Sequence, residues 1–161
     1  MGEREELVET LEKHRGLLRH TARDLTDEQA ARRTTASELS LGGLVKHVTA
    51  VEGVWTRFIT GGAEAMGSGD GDWASQFRMA EGETLAGLLA EYERVARETD
   101  ELVRDFPDLD LAHPLPSAPW FEAGASWSAR RVLLHLIAET AQHAGHADII
   151  RESLDGAKSM G

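Results

Sequence analysis

The chain has 161 residues, 17 basic against 28 acidic, a net charge of −11 with histidine neutral, and no cysteine. The length suits a single domain over 1–161, and so acidic a chain is not built to bind a nucleic-acid backbone. The missing thiols exclude disulfides, thiolate metal sites and a cysteine nucleophile.

The opening Met1-Gly2-Glu3-Arg4-Glu5-Glu6 is too charged for a signal peptide, and no apolar run approaches the roughly 18 residues of a membrane span. A cytoplasmic protein without membrane contact is expected. Leu7, Leu11, Leu18 and Leu25 recur at spacings of four and seven, which predicts a first helix over about Arg4 to Leu25 with His14 on the same stripe. Thr26-Asp27-Glu28-Gln29 has capping-box spacing for a short turn or helix, and the polar stretch Arg32 to Glu38 reads as a loop. Ser40 suits the N-cap of a second helix that ends at Gly61-Gly62. Its apolar stripe is wide enough for two neighbours, and Gly42-Gly43 in its first turn permit a close approach.

Residues 60–72 are dominated by Gly, Ser and Asp and read as a flexible loop. A third helix is predicted over about Gly82 to Phe106, stopped by Pro107. The proline-rich run His113 to Trp120 reads as a second long loop, with His113 exposed. The last helix runs from about Trp127 to Leu154, capped by Ser126 or Ser128 and closed by Gly156. No segment alternates with period two, so no sheet is expected. The fold class is all-α, a four-helix bundle.

Chemistry gathers in two of these helices. The last carries His135, Glu139, His143 and His146, which interrupt a stripe continued by Val132, Leu136 and Ile150. Glu139, His143 and His146, at steps of four and three, share a face. A carboxylate turned inward is costly unless paired or bound to a cation. One histidine on a core face is ordinarily just hydrogen-bonded, and Glu139 has Arg130, Arg131 or a protonated histidine as alternative partners. The cluster as a whole points to a divalent metal, and imidazole plus carboxylate suits Zn²⁺, Ni²⁺, Fe²⁺ or Mn²⁺. His47 interrupts the stripe of the second helix between Leu44 and Val51 and offers a ligand from a facing helix. Three protein ligands leave open positions, as catalytic metals require.

Leu44-Val45-Lys46-His47-Val48 with Glu52 and Trp55, followed by Glu139-x-x-x-His143-x-x-His146-Ala147-Asp148-Ile149, resembles the DinB/YfiT-like metal-binding superfamily. The ending Ile150-Arg151-Glu152-Ser153-Leu154-Asp155-Gly156 is similar to its actinobacterial branch, the relatives of mycothiol-dependent maleylpyruvate isomerase. The resemblance implies a four-helix bundle with one divalent ion, zinc or nickel foremost, on His47, Glu139 and His143. Most of the superfamily has histidine where this chain has Glu139; the isomerase branch is similar in using a carboxylate. His146 stands as a fourth ligand, a replacement for Glu139, or the pocket acid/base, the last being the role assigned to it here. Trp55, Trp120 and His135 are the expected pocket residues, although packing is the plainer role for Trp55.

The resemblance further implies an external low-molecular-weight thiol, mycothiol, as co-substrate, a small-molecule electrophile as its partner, and a homodimer. A chain without cysteine has no sulfur nucleophile of its own, so an S-transferase or isomerase reaction would draw on that thiol. A metal-dependent hydrolase using bound water, or a bundle with a structural metal and no catalysis, are the alternatives.

Overall fold

A computed structural model of the chain describes residues 1–69 and 71–160. Five helices, α1 (Glu3–Thr21), α2 (Asp27–Ala31), α3 (Leu41–Gly61), α4 (Leu85–Asp105) and α5 (Ala129–Asp155), make up most of it. Two three-residue strands, β1 (Ala112–Pro114) and β2 (Ser126–Ser128), pair antiparallel, with His113 opposite Trp127. The four long helices form the predicted bundle: α5 lies between α1 and α3, and α4 closes the ring from α3 back to α1. No helix among the described residues is long and apolar enough to cross a membrane.

Helix boundaries follow the caps. The Ser40 side chain accepts from Gly43 N and Thr84 from Gly87 N, and Ser128 rather than Ser126 caps α5 by accepting from Arg131 N. Ser126 instead lies in β2, so the expectation of no sheet gives way to one short strand pair closing the neck of the proline-rich loop. Helix α1 stops at Thr21, four residues before the predicted end. The chain turns there through Asp24 at φ 55°, and the Thr26–Gln29 capping box starts α2. Gly156 at φ 80° ends α5 in the left-handed conformation that glycine adopts without strain.

The loop predicted over 60–72 contains a 3₁₀ turn, Ala63–Met66, and a second, Trp73–Phe77, follows it; Asp70 lies outside the described residues. The second turn rests on the start of α3. A Cβ at Gly43 would lie 1.7 Å from the Phe77 carbonyl oxygen, and one at Gly42 2.3 Å from Met79 Sδ. The glycine pair is therefore what allows this segment to lie against α3.

Apolar side chains form two clusters, one around Leu18, Leu44, Val45, Tyr92 and Ile150, the other around Leu11, Trp55, Phe58, Leu133 and Leu136. Polar groups interrupt them. Arg15, not His14, takes the inward position between Leu11 and Leu18 and is fully buried, while His14 is half-buried. Arg15 Nε and Nη2 donate to the two oxygens of buried Glu52, and Nη1 donates to Asp100 at 2.9 Å and Glu12 at 3.3 Å. The Tyr92 hydroxyl is buried with no hydrogen-bond partner among the described residues. Burial and the nearby Glu52 charge both push its ionisation above the usual tyrosine range. Arg151, also buried, donates to the Thr21 and Arg23 carbonyls at 2.7 and 2.6 Å and satisfies the end of α1. His113 is half-buried rather than exposed. Its Nε2 lies 3.2 Å from the Ile59 carbonyl, and its ring meets Phe58 edge-on, so β1 is tied to the end of α3.

Candidate metal centre

His47 enters from α3, and Glu139 and His143 from successive turns of α5, the helix packed beside it. One Glu139 oxygen, Oε2, lies 3.8 Å from His47 Nε2 and 3.4 Å from His143 Nε2. One ligating atom from each of the three residues lies within 4.8 Å of the others, and no further group joins this cluster among the described residues. Bonds of about 2.1 Å at a tetrahedral angle hold two donor atoms about 3.4 Å apart. Glu139 and His143 already have that spacing, while His47 stands a few tenths of an ångström too far from Glu139 and the three atoms together are spread over up to 4.8 Å, so His47 must also close on His143. Two imidazoles and one carboxylate are a fitting donor set for a divalent ion, with coordination positions to spare.

The surroundings hold the three side chains by contacts of different kinds. His47 is 3% exposed, and its Nδ1 is buried without a hydrogen-bond partner among the described residues. Packing fixes its ring instead: Phe77 stacks on it at 4.1 Å and Trp73 meets it edge-on at 5.9 Å. His143 is held through its other nitrogen, since its Nδ1 lies 3.2 Å from His146 Nδ1. Glu139, at 28% exposed, is the most exposed of the three. Hydrogen bonds from His143 and then His47 hold its carboxyl well below the usual carboxylate range, against the opposing effect of burial.

One turn before Glu139, His135 is half-buried against Trp55 at 5.0 Å and Trp127 at 5.1 Å. Burial pushes its imidazole below the usual histidine range, Arg131 adds to the shift and Glu139 opposes it. Trp55 stacks on Trp127 at 4.9 Å, and Phe121 meets both rings edge-on. Trp120 is 77% exposed beyond Phe121, at the rim of this aromatic group rather than against His47, Glu139 and His143. The structure thus brings His47, Glu139, His143 and His146 together and places His135 and Trp55 in the next layer. The cover formed by Trp73 and Phe77 was missed in the sequence. Two aromatic residues four apart in a glycine-rich loop, opposite a glycine pair on α3, are the signal that could have found it.

A helical bundle with a His–Glu–His cluster between two adjacent helices is the class these observations define. The sequence model of the mycothiol-S-transferase family matches residues 6–156, nearly the whole chain, and the chain belongs to that family. Among solved structures, a conserved protein from Enterococcus faecalis superposes with a TM-score of 0.70 at 15% identity, covering 98% of this chain and 99% of that one. At that identity the likeness shows the fold alone. No curated protein matches the chain.

Proposed function

We propose that this chain is a divalent-metal-dependent S-transferase that joins mycothiol to a small electrophile. Membership of the mycothiol-S-transferase family supports the thiol. The observation that carries the catalytic reading is the three-donor cluster of His47, Glu139 and His143, which no other described residue joins, so that coordination positions are left for substrate. The donor set suits several divalent ions, and zinc or nickel is the ion that the family resemblance favours. When bound, such an ion supplies a Lewis-acid position that lowers the pKa of a thiol, so that sulfur is a nucleophile at neutral pH.

The protein's own groups do the rest. His47 and His143 present Nε2 atoms from adjacent helices, and partly exposed Glu139 marks the side from which solvent and substrate arrive. Trp73 and Phe77 shield His47. The reaction is an addition: the S–H bond breaks, an S–C bond forms at the electrophilic carbon, and the polarised double bond or strained ring at that carbon opens and takes up a proton. His146 is the proposed pocket acid/base: with its Nδ1 accepting from His143, its Nε2 carries the hydrogen and donates a hydrogen bond to the negative charge that develops on the electrophile, while the thiol proton leaves to solvent. Trp55, His135 and Trp120 form the flank along which the electrophile lies. Cytoplasmic residence and a homodimer belong to the same reading and rest on the family resemblance.

The test incubates metal-loaded protein with mycothiol and a panel of electrophiles, with chelated protein and His47→Ala as controls. Thiol loss that requires both the metal and His47 is expected. Turnover that proceeds without thiol would replace this reading with hydrolysis.

A further inference from the structure

Trp73 is 65% exposed, yet it lies against the candidate centre itself. Its ring meets the His47 ring edge-on with centroids 5.9 Å apart, and it meets Phe77 edge-on at 5.7 Å. Phe77 in turn stacks on His47 at 4.1 Å and lies 6.4 Å from His143. The exposed indole and the donor cluster are thus in direct contact.

The indole is also carried on a fastened segment. The Asp72 side chain accepts from Ala74 N at 3.1 Å, and the Ser75 hydroxyl donates to the Asp72 carbonyl at 2.7 Å, which closes the turn around Trp73. The residue before His47 ties down the far end: Lys46 Nζ donates to the Arg78 carbonyl at 3.2 Å and to Glu83 at 3.0 Å. A rigid aromatic wall in place before a ligand arrives loses little freedom on binding, which suits it to recognition.

Its position assigns it to one of the two substrates. Gly42 and Gly43, on which the Trp73–Phe77 turn rests, lie one turn before His47 on α3, whereas Trp55 lies two turns past it, beside His135. The two aromatic groups therefore flank the cluster from opposite ends, and the electrophile has the Trp55 end. Mycothiol is a neutral molecule: its N-acetylated cysteinyl group is joined through an amide to glucosamine, which carries inositol. No charge on it answers the chain's net −11, so stacking and hydrogen bonds must recognise it. The C–H face of a pyranose ring is apolar, and its slightly positive hydrogens suit the negative face of an indole. In an extended cysteinyl amide the sugar ring begins about 6 Å from the sulfur, which matches the separation of the His47 and Trp73 rings.

We propose that Trp73 is the specificity-determining wall of the thiol site, on which the glucosamine ring of mycothiol lies while the cysteinyl sulfur docks at His47, Glu139 and His143. The inference rests on the thiol reading above for its docking end.

The test compares mycothiol with N-acetylcysteine amide, which is neutral and has the same cysteinyl group without the sugar. Both are titrated into cobalt(II)-loaded protein and read through the sulfur-to-cobalt absorption band. Mycothiol is expected to bind about tenfold more tightly, the size of a good aromatic stack. Trp73→Ala brings that ratio to about one and Trp73→Tyr keeps part of it, with circular dichroism verifying that both variants fold. Taking the ratio removes any disturbance of His47 that the substitution causes, since both thiols share it. A ratio near one in the unaltered protein, or a ratio that Trp73→Ala leaves intact, overturns the sugar wall while the absorption band itself upholds the thiol reading. A spectrum that neither thiol perturbs overturns both.

Discussion

His143 and His146 face each other through their Nδ1 atoms at 3.2 Å. Two such nitrogens make a hydrogen bond only when one carries the proton and the other does not. If His143 uses Nε2 toward the metal, its Nδ1 is the protonated atom and His146 Nδ1 accepts. In that arrangement His146 fixes the tautomer and the ring angle of His143.

Removing that acceptor should loosen the centre without abolishing it. His146→Ala is expected to weaken metal affinity about 10- to 100-fold, and His146→Asn, which keeps an acceptor, to weaken it less. Chelator competition measures both. His143→Ala, by contrast, should lose stoichiometric metal on elemental analysis. Equal losses from His146→Ala and His143→Ala would put His146 among the ligands.

The metal-free protein should lose stability on the acid side. The Glu139 carboxyl is lowered in the fold, so its contribution is present above the usual carboxylate range and is lost as pH falls through the lowered value. His135 is lowered as well, by burial. The unfolded chain therefore binds its proton first, and stability declines as pH falls below about 6.5, the ordinary histidine value. Urea midpoints against pH should show His135→Gln declining less than the parent between about pH 6.5 and 5. Parallel curves for the two proteins would contradict the burial effect at His135.

The buried pair Arg15–Glu52 gives a prediction about folding alone. Glu52→Ala leaves the fully buried Arg15 with only Asp100 and Glu12, and should cost about 3–5 kcal/mol in urea unfolding. The double variant Arg15→Met/Glu52→Leu should cost less than either single change, because no buried charge is left without its partner. A double variant as unstable as the sum of the singles would reject this.

Gly43 is expected to tolerate no side chain. The Phe77 carbonyl is backbone and cannot rotate away from a new Cβ, so Gly43→Ala must push the Trp73–Phe77 turn off α3. Loss of the Phe77 stack should leave His47 freer and lower metal affinity, whereas Gly145→Ala, which meets nothing within 4 Å, should not. Chelator competition on the two variants decides it.

Much of the bundle was legible because its signals are local. Ser40, Gly62 and Gly156 mark helix ends by backbone chemistry that involves only a few neighbouring residues. The three donors were legible because each breaks an apolar stripe, and helical spacing alone fixes which of them share a face. What was not legible depends on contacts between distant segments. Arg15 looked like one charge among many in α1, and only its bonds to Glu52 on α3 and Asp100 on α4 show why it is buried. His113 looked like a loop residue until β1 paired with β2 and carried it to Ile59. Arg131 is one of three alternative partners that the sequence offers Glu139, and it stacks on Trp127 instead.

The central claim is that a thiol reaches a metal held by His47, Glu139 and His143. The most direct measurement is the absorption spectrum of the cobalt(II)-loaded protein titrated with mycothiol. The account predicts a new sulfur-to-cobalt band that saturates at one thiol per metal and is absent in His47→Ala. A cobalt spectrum that stays unchanged at saturating mycothiol would contradict it.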